Sequence, residues 1–81
     1  METGTPHTDL EIDASGLTCP LPILRTKKAL AQLESGQVLG VLTTDKHALR
    51  DFQAFARQTG NSLLEQVDLG EGRLKHYIRR R

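Results

Sequence analysis

One cysteine stands in the chain, Cys19, and prolines follow it at alternate positions in Cys19-Pro20-Leu21-Pro22. Its thiol is the strongest nucleophile the sequence offers. The tetrapeptide falls where a loop passes into a helix, so Cys19 is expected at or next to the N-cap. Unpaired backbone N–H groups point toward such a position, and the helix macrodipole adds roughly half a positive charge there. Both favour a thiolate, and cysteines so placed titrate at about 3.5–7.5 against about 8.5 for a free thiol. Arg25, Lys27 and Lys28 follow within the first turns. They are expected to add positive potential and to offer a partner a basic docking face. A free cysteine is also often a small buried hydrophobe, and a basic helix face is often only solvated surface. The turn Ser15-Gly16-Leu17-Thr18 and the proline after Cys19 favour an accessible sulfur, and Pro20 and Pro22 stiffen the helix start.

A nucleophilic enzyme needs a general base beside the sulfur. The candidates are His7, His47 and His76. His7 falls in a polar tail, His47 in the first turn of a second helix, and His76 alternates with Leu74 and Ile78 as a partly buried strand residue would. None has the spacing of a dyad. A thiol without a base suits transfer of a group to a partner better than turnover of a small substrate. No metal or cofactor is expected. One cysteine makes no internal disulfide, and a reducing cytoplasm is the natural setting.

The elements that must hold this thiol follow from periodicity. Residues 1–7 are expected to be a disordered tail and residues 8–81 one domain, on the small side for a single core. In residues 8–14, Leu10, Ile12 and Ala14 alternate with Asp9, Glu11 and Asp13, which predicts a strand with one buried face. Ile23, Thr26, Ala29, Leu30 and Leu33 recur at helical spacing and predict a helix from Pro20 to Glu34, ended by Ser35-Gly36. Gln37–Thr43 predicts an interior strand. Thr44 or Asp45 is expected to cap a second helix reaching Thr59, with Ala48, Leu49, Phe52, Phe55 and Ala56 as its apolar stripe and Gly60 as its stop. Asn61–Leu69 and Arg73–Arg79 predict a hairpin about Gly70-Glu71-Gly72. The order βαβαββ gives a two-layer α/β sandwich, with both helices on one face of a mixed four-stranded sheet.

Charge and hydropathy exclude other classes. Eleven basic and ten acidic residues leave a net charge of +1, so bulk charge does not point to nucleic acid. Apolar runs are only a few residues long, whereas a spanning helix needs roughly 20. The terminal Arg79-Arg80-Arg81 reads as solvated surface.

The sequence resembles the TusA-like (SirA-like) sulfur carrier family. The resemblance rests on Leu10-Glu11-Ile12-Asp13-Ala14, on Gly16-Leu17-Thr18-Cys19-Pro20-Leu21-Pro22, on Lys27-Lys28-Ala29-Leu30 and Leu33, and on Gly36, Val38-Leu39, Thr44-Asp45, Asp51, Phe55, Gly60, Leu63 and Ile78-Arg79. It spans nearly all of residues 9–80. The resemblance implies a small cytoplasmic protein, taken to be a monomer, whose motif cysteine, Cys19, accepts sulfane sulfur as a persulfide. The implied donor is a cysteine desulfurase or rhodanese-type sulfurtransferase. An acceptor protein then takes the sulfur toward tRNA thiolation, molybdenum-cofactor synthesis or sulfur oxidation. Whether such a carrier counts as an enzyme stays open.

Ser15, Lys46, Ala56 and Asn61 depart from residues common in the family. These departures leave the thiol chemistry intact and bear on the choice of partner. Two other classes remain. An RNA-binding or regulatory module shares the fold class, but such sites add exposed aromatics, and only Tyr77 is expected to point outward. A one-cysteine redox sensor would need the same acidic thiol and no sulfur donor.

Overall fold

The computed structural model describes residues 6–81. The expected tail over residues 1–7 therefore lies outside the described residues except for Pro6 and His7, which belong to neither helix nor strand. The chain runs β1 (Leu10–Ala14), α1 (Leu21–Leu30), β2 (Val38–Thr43), α2 (Ala48–Thr59), β3 (Ser62–Gly70) and β4 (Arg73–Arg79). The strands lie in the order β1-β2-β4-β3, with β1 and β2 parallel and the other pairs antiparallel. This is the expected α/β arrangement of two helices with a mixed four-stranded sheet.

Alternation places Leu39, Val41, Ile78 and His76 between sheet and helices, where each is fully buried. Phe52 of α2 fills the centre and stacks on the His76 ring, with centroids 4.0 Å apart and planes 8° from parallel. Ala29, Leu30 and Leu33 close the core from the α1 side, and Phe55 and Ala56 from the α2 side. Burying a side chain such as Phe52 or Leu39 contributes about 1.5–3 kcal/mol.

Several boundaries differ from the sequence reading. The first helix ends at Leu30, not Glu34. Beyond it the Gln32 and Leu33 N–H groups donate to Ala29 and Leu30 O, both at 3.0 Å. These shorter-range bonds tighten the last turn and carry Leu33 into the core. Pro20 is the N-cap, so α1 opens at Leu21, and Pro22 lies inside the first turn, where a missing N–H costs nothing.

Neither Thr44 nor Asp45 caps α2; its N-cap is His47, without a side-chain cap bond. Both residues bond instead to the β1–α1 loop. Leu49, expected on the apolar stripe, is exposed. Tyr77 alternates out of phase with His76 and Ile78, but it is only 7% exposed. Lys75 lies over its ring, 5.6 Å from the centroid, while its ammonium donates to Glu11 Oε1 at 2.8 Å. The outward stacking surface expected at Tyr77 is therefore covered. Gly60, at φ 81°, ends α2 in the left-handed region and donates its N–H to Ala56 O at 2.9 Å.

Candidate functional site

Cys19 sits in the loop between β1 and α1, one residue before the helix cap. The loop starts as a tight turn. Leu17 N–H returns to Ala14 O at 3.2 Å, Ser15 N–H donates to Asp13 Oδ1 at 2.9 Å, and Gly16 takes φ +79°. It ends as a second turn, with Leu21 N–H on Thr18 O at 2.8 Å. Between these turns, two bonds cross to the loop that follows β2. Gly16 N–H donates to Thr44 Oγ1 at 2.8 Å, and Cys19 N–H donates to Asp45 Oδ2 at 3.1 Å. Because β1 and β2 are parallel neighbours, both loops leave the same edge of the sheet. That edge, outside the carboxyl ends of parallel strands, is where open α/β sheets place their sites.

The thiol is exposed, but its acidity runs opposite to the expectation from the helix start. Interaction with the Asp51 carboxylate, in the first turn of α2, some desolvation, and the negative charges of Asp51 and Asp45 push its pKa above the usual thiol value. A carboxylate beside a thiol favours the neutral form, and a thiolate there would face two like charges.

Arg25, Lys27 and Lys28 are all exposed and are not gathered into one cluster. Arg25 and Lys28 border a shallow groove with Leu10 and Ile12 of β1. Lys27 lies on the other flank of α1, in a groove shared with Arg80 and Arg81. The charges that act on the sulfur come from the α2 side. Asp51 and Asp45 are the residues that sequence neighbourhood missed. The crossover topology held the signal, since it brings the starts of both helices to one edge of the sheet.

The histidines are spread apart. His7 Nε2 lies 3.8 Å from Asp9 Oδ1, and His47 Nδ1 lies 3.5 Å from Asp45 Oδ1. His76 is 0% exposed, and burial pushes its pKa down to about 4. Its Nε2 is 2.8 Å from Thr43 Oγ1, and its Nδ1 is 3.0 Å from Gln66 Nε2. An amide nitrogen only donates, so Nδ1 accepts and the neutral ring carries its proton on Nε2. Among the described residues no histidine hydrogen-bonds Cys19, and no group of three His, Cys, Asp or Glu could hold a metal ion.

Two leucines in and just after the motif are exposed on α1, Leu21 at 46% and Leu24 at 52%. A cleft of about 350 Å³ beside Asp51 is lined by Lys46, His47, Leu49 and Arg50. A larger one of about 550 Å³ lies toward the β3–β4 turn and does not include Cys19. The sulfur thus stands at an open surface. No helix among the described residues is long and apolar enough to cross a membrane.

Comparison with known proteins agrees with this architecture. Residues 10–80 match the family model described as sulfurtransferase TusA. The sulfur carrier protein TusA of Allochromatium vinosum is 56% identical over 70 residues, covering 86% of this chain and 90% of that protein. The crystal structure of a SirA-like protein from Desulfitobacterium hafniense superposes with a TM-score of 0.77 at 35% identity, covering 86% of this chain and 95% of the other.

Proposed function

Because the chain belongs to the TusA family, we propose that it is a sulfur carrier whose Cys19 holds the cargo as a persulfide. A cysteine desulfurase or another sulfurtransferase supplies the sulfane sulfur, and an acceptor protein removes it. The acceptor pathway is one of tRNA thiolation, molybdenum-cofactor synthesis or sulfur oxidation. The setting is the cytoplasm, and the carrier works as a monomer. The observation that carries this reading is the exposed position of the sole cysteine, at the open edge of the sheet, in a loop held by two long-range bonds.

The exchange needs no cofactor and no oxidant. The sulfur of Cys19 attacks the terminal sulfur of the donor persulfide. The donor's S–S bond breaks as the new one forms, and the donor cysteine leaves as a thiolate that gains the proton Cys19 lost. Delivery repeats the exchange in the acceptor's direction. An open surface fits this chemistry, because both the incoming and the outgoing sulfur are attached to proteins. Gly16, Pro20 and Pro22 shape the loop. Arg25, Lys27 and Lys28 offer partner contacts on the two flanks of α1.

The test is intact mass after incubation with a desulfurase and L-cysteine. The wild type gains labile sulfur that a reductant removes. Cys19→Ser gains none and keeps its fold, since serine matches the size but has no sulfur nucleophile. Wild-type protein that gains no sulfur, or a Cys19→Ser protein that does, refutes the reading. Reversing Lys27 and Lys28 to Glu slows loading at low salt if the flanks steer the partner.

A further inference from the structure

The Cys19 loop is held from outside by the short arm between β2 and α2, residues 44–47. Gly16 N–H donates to Thr44 Oγ1 at 2.8 Å, and Cys19 N–H donates to Asp45 Oδ2 at 3.1 Å. Resting on the carrier reading, we infer that His76 and Gln66 are positioning residues for Cys19, because together they pin both ends of this arm to the sheet. The two ends are Thr43, the last residue of β2, and Leu49, in the first turn of α2.

His76 and Gln66 face each other directly across β4 and β3. His76 Nε2 donates to Thr43 Oγ1 at 2.8 Å, which fixes the β2 end of the arm. Its Nδ1 accepts one N–H of the Gln66 amide at 3.0 Å. The other N–H of that amide donates to Leu49 O at 3.0 Å, which fixes the α2 end. The amide oxygen accepts from Gln53 Nε2 at 3.0 Å, one turn further along α2. With both hydrogens and the oxygen engaged, the amide has one orientation, and that orientation requires the ring tautomer that accepts at Nδ1. Thr43 and His76 are fully buried, so water does not replace their bond at low cost. The helix α2 starts without a side-chain cap bond. The Gln66 tether to Leu49 O supplies from the sheet a fixed point that the helix start lacks.

Among the described residues neither side chain hydrogen-bonds Cys19, so their influence runs through the arm. Within the arm, Ala48 N–H donates to Asp45 O at 3.0 Å, which makes Asp45 move with the start of α2. If either end comes loose, Thr44 and Asp45 no longer stay in place under the Gly16 and Cys19 N–H groups. The sulfur then loses its fixed direction at the edge of the sheet. Direction matters to the exchange, because the attacking sulfur must approach in line with the S–S bond that breaks.

The experiment cuts one link at a time. Thr43→Val removes the acceptor of His76 at nearly constant volume, Gln66→Leu removes the amide bonds, and Thr43→Ser keeps a hydroxyl. Amide hydrogen exchange is read by NMR at Gly16 and Cys19, with Leu39 and Ile78 as reference positions in the sheet. Sulfur loading is measured with cysteine persulfide, a small donor that removes any effect of protein docking. In Thr43→Val and Gln66→Leu, exchange at Gly16 and Cys19 rises by about tenfold, the equivalent of one lost hydrogen bond, and Leu39 and Ile78 change less. Loading slows by on the order of tenfold. Thr43→Ser retains most of the protection and most of the rate. Unchanged exchange at Gly16 and Cys19 means that the arm holds itself, and equal acceleration at all four amides means only a lower global stability. Either result overturns the positioning role. So does faster exchange at Gly16 and Cys19 with loading at the wild-type rate, because the geometry would then not serve the reaction. If the wild type takes no sulfur from cysteine persulfide or from a desulfurase with L-cysteine, the carrier reading itself falls, and the positioning role falls with it.

Discussion

Two titratable side chains, Cys19 and His76, are held in opposite ways. Cys19 stands exposed in a loop, tied through its backbone, with carboxylates around its sulfur. His76 is fully buried in β4, stacked on Phe52 and bonded at both ring nitrogens. The first arrangement leaves the side chain free to react and controls its charge from outside. The second fixes the side chain and one tautomer, and uses it as a core residue. A histidine in a small protein with a reactive cysteine invites assignment as the catalytic base. Here packing has already consumed it.

The contrast breaks first in the core. Phe52→Ala removes the ring under His76 and the centre of the cluster, and is expected to cost about 3–5 kcal/mol. Denaturant unfolding measures the loss. Cys19 alkylation in the folded fraction should be little changed, since the thiol's contacts lie in the loops.

Acid titration is the next largest effect. His76 is neutral in the folded state with its pKa at about 4, below the ordinary value of 6.5. The unfolded chain therefore binds the proton first. The contribution of neutral His76 is complete above about pH 6.5, is lost as pH falls through the interval to about 4, and then levels off. A shift of that size corresponds to about 3 kcal/mol. Unfolding free energy measured against pH should show this slope, and a His76→Gln variant should lack it. An unchanged slope in the variant would assign the acid sensitivity to other groups.

At the site the effects are smaller in stability and larger in reactivity. Asp45→Ala removes the acceptor of Cys19 N–H and one of the negative charges on the sulfur. It should cost about 1 kcal/mol and move the alkylation midpoint to lower pH. A midpoint that stays put would leave Asp51 alone in control of the thiol.

Why the core half of this contrast was easier to read than the site half is a matter of range. The strand alternation of Leu10, Ile12 and Ala14 and the helical stripe of Phe52, Phe55 and Ala56 are local patterns, and the fold followed them. Gly60 stopped its helix through its own backbone freedom. The position of Cys19 before the helix was also legible, because Pro20 and Pro22 mark that start. Its electrostatics were not. Arg25, Lys27 and Lys28 are near in sequence, but helical rotation sends them to two flanks. Asp45 is 26 residues away and reaches the Cys19 backbone. Thr44 and Asp45 look like helix caps, since a capping oxygen and a loop-bridging oxygen belong to the same residue types. The pairing of His76 with Gln66 likewise needs the register of β3 against β4.

The smallest expected effect lies in the turn joining those two strands. Glu71 takes φ 57° and Gly72 φ 79°, the left-handed pair that suits a tight hairpin. A non-glycine residue pays for that conformation. Glu71→Gly or Glu71→Asn should stabilise the protein by up to about 1 kcal/mol, read as a rise in melting temperature, with sulfur loading unchanged.

The register of β3 has a further consequence. This nine-residue strand pairs only with β4, and its pairing is irregular between Leu63 and Glu65 and again between Asp68 and Gly70. A flat, regular outer strand would offer a continuous row of amide groups to another chain. Two breaks interrupt that row and twist its parts away from a common plane. An outer strand interrupted in this way is a poor template for edge-to-edge stacking with further copies of the chain.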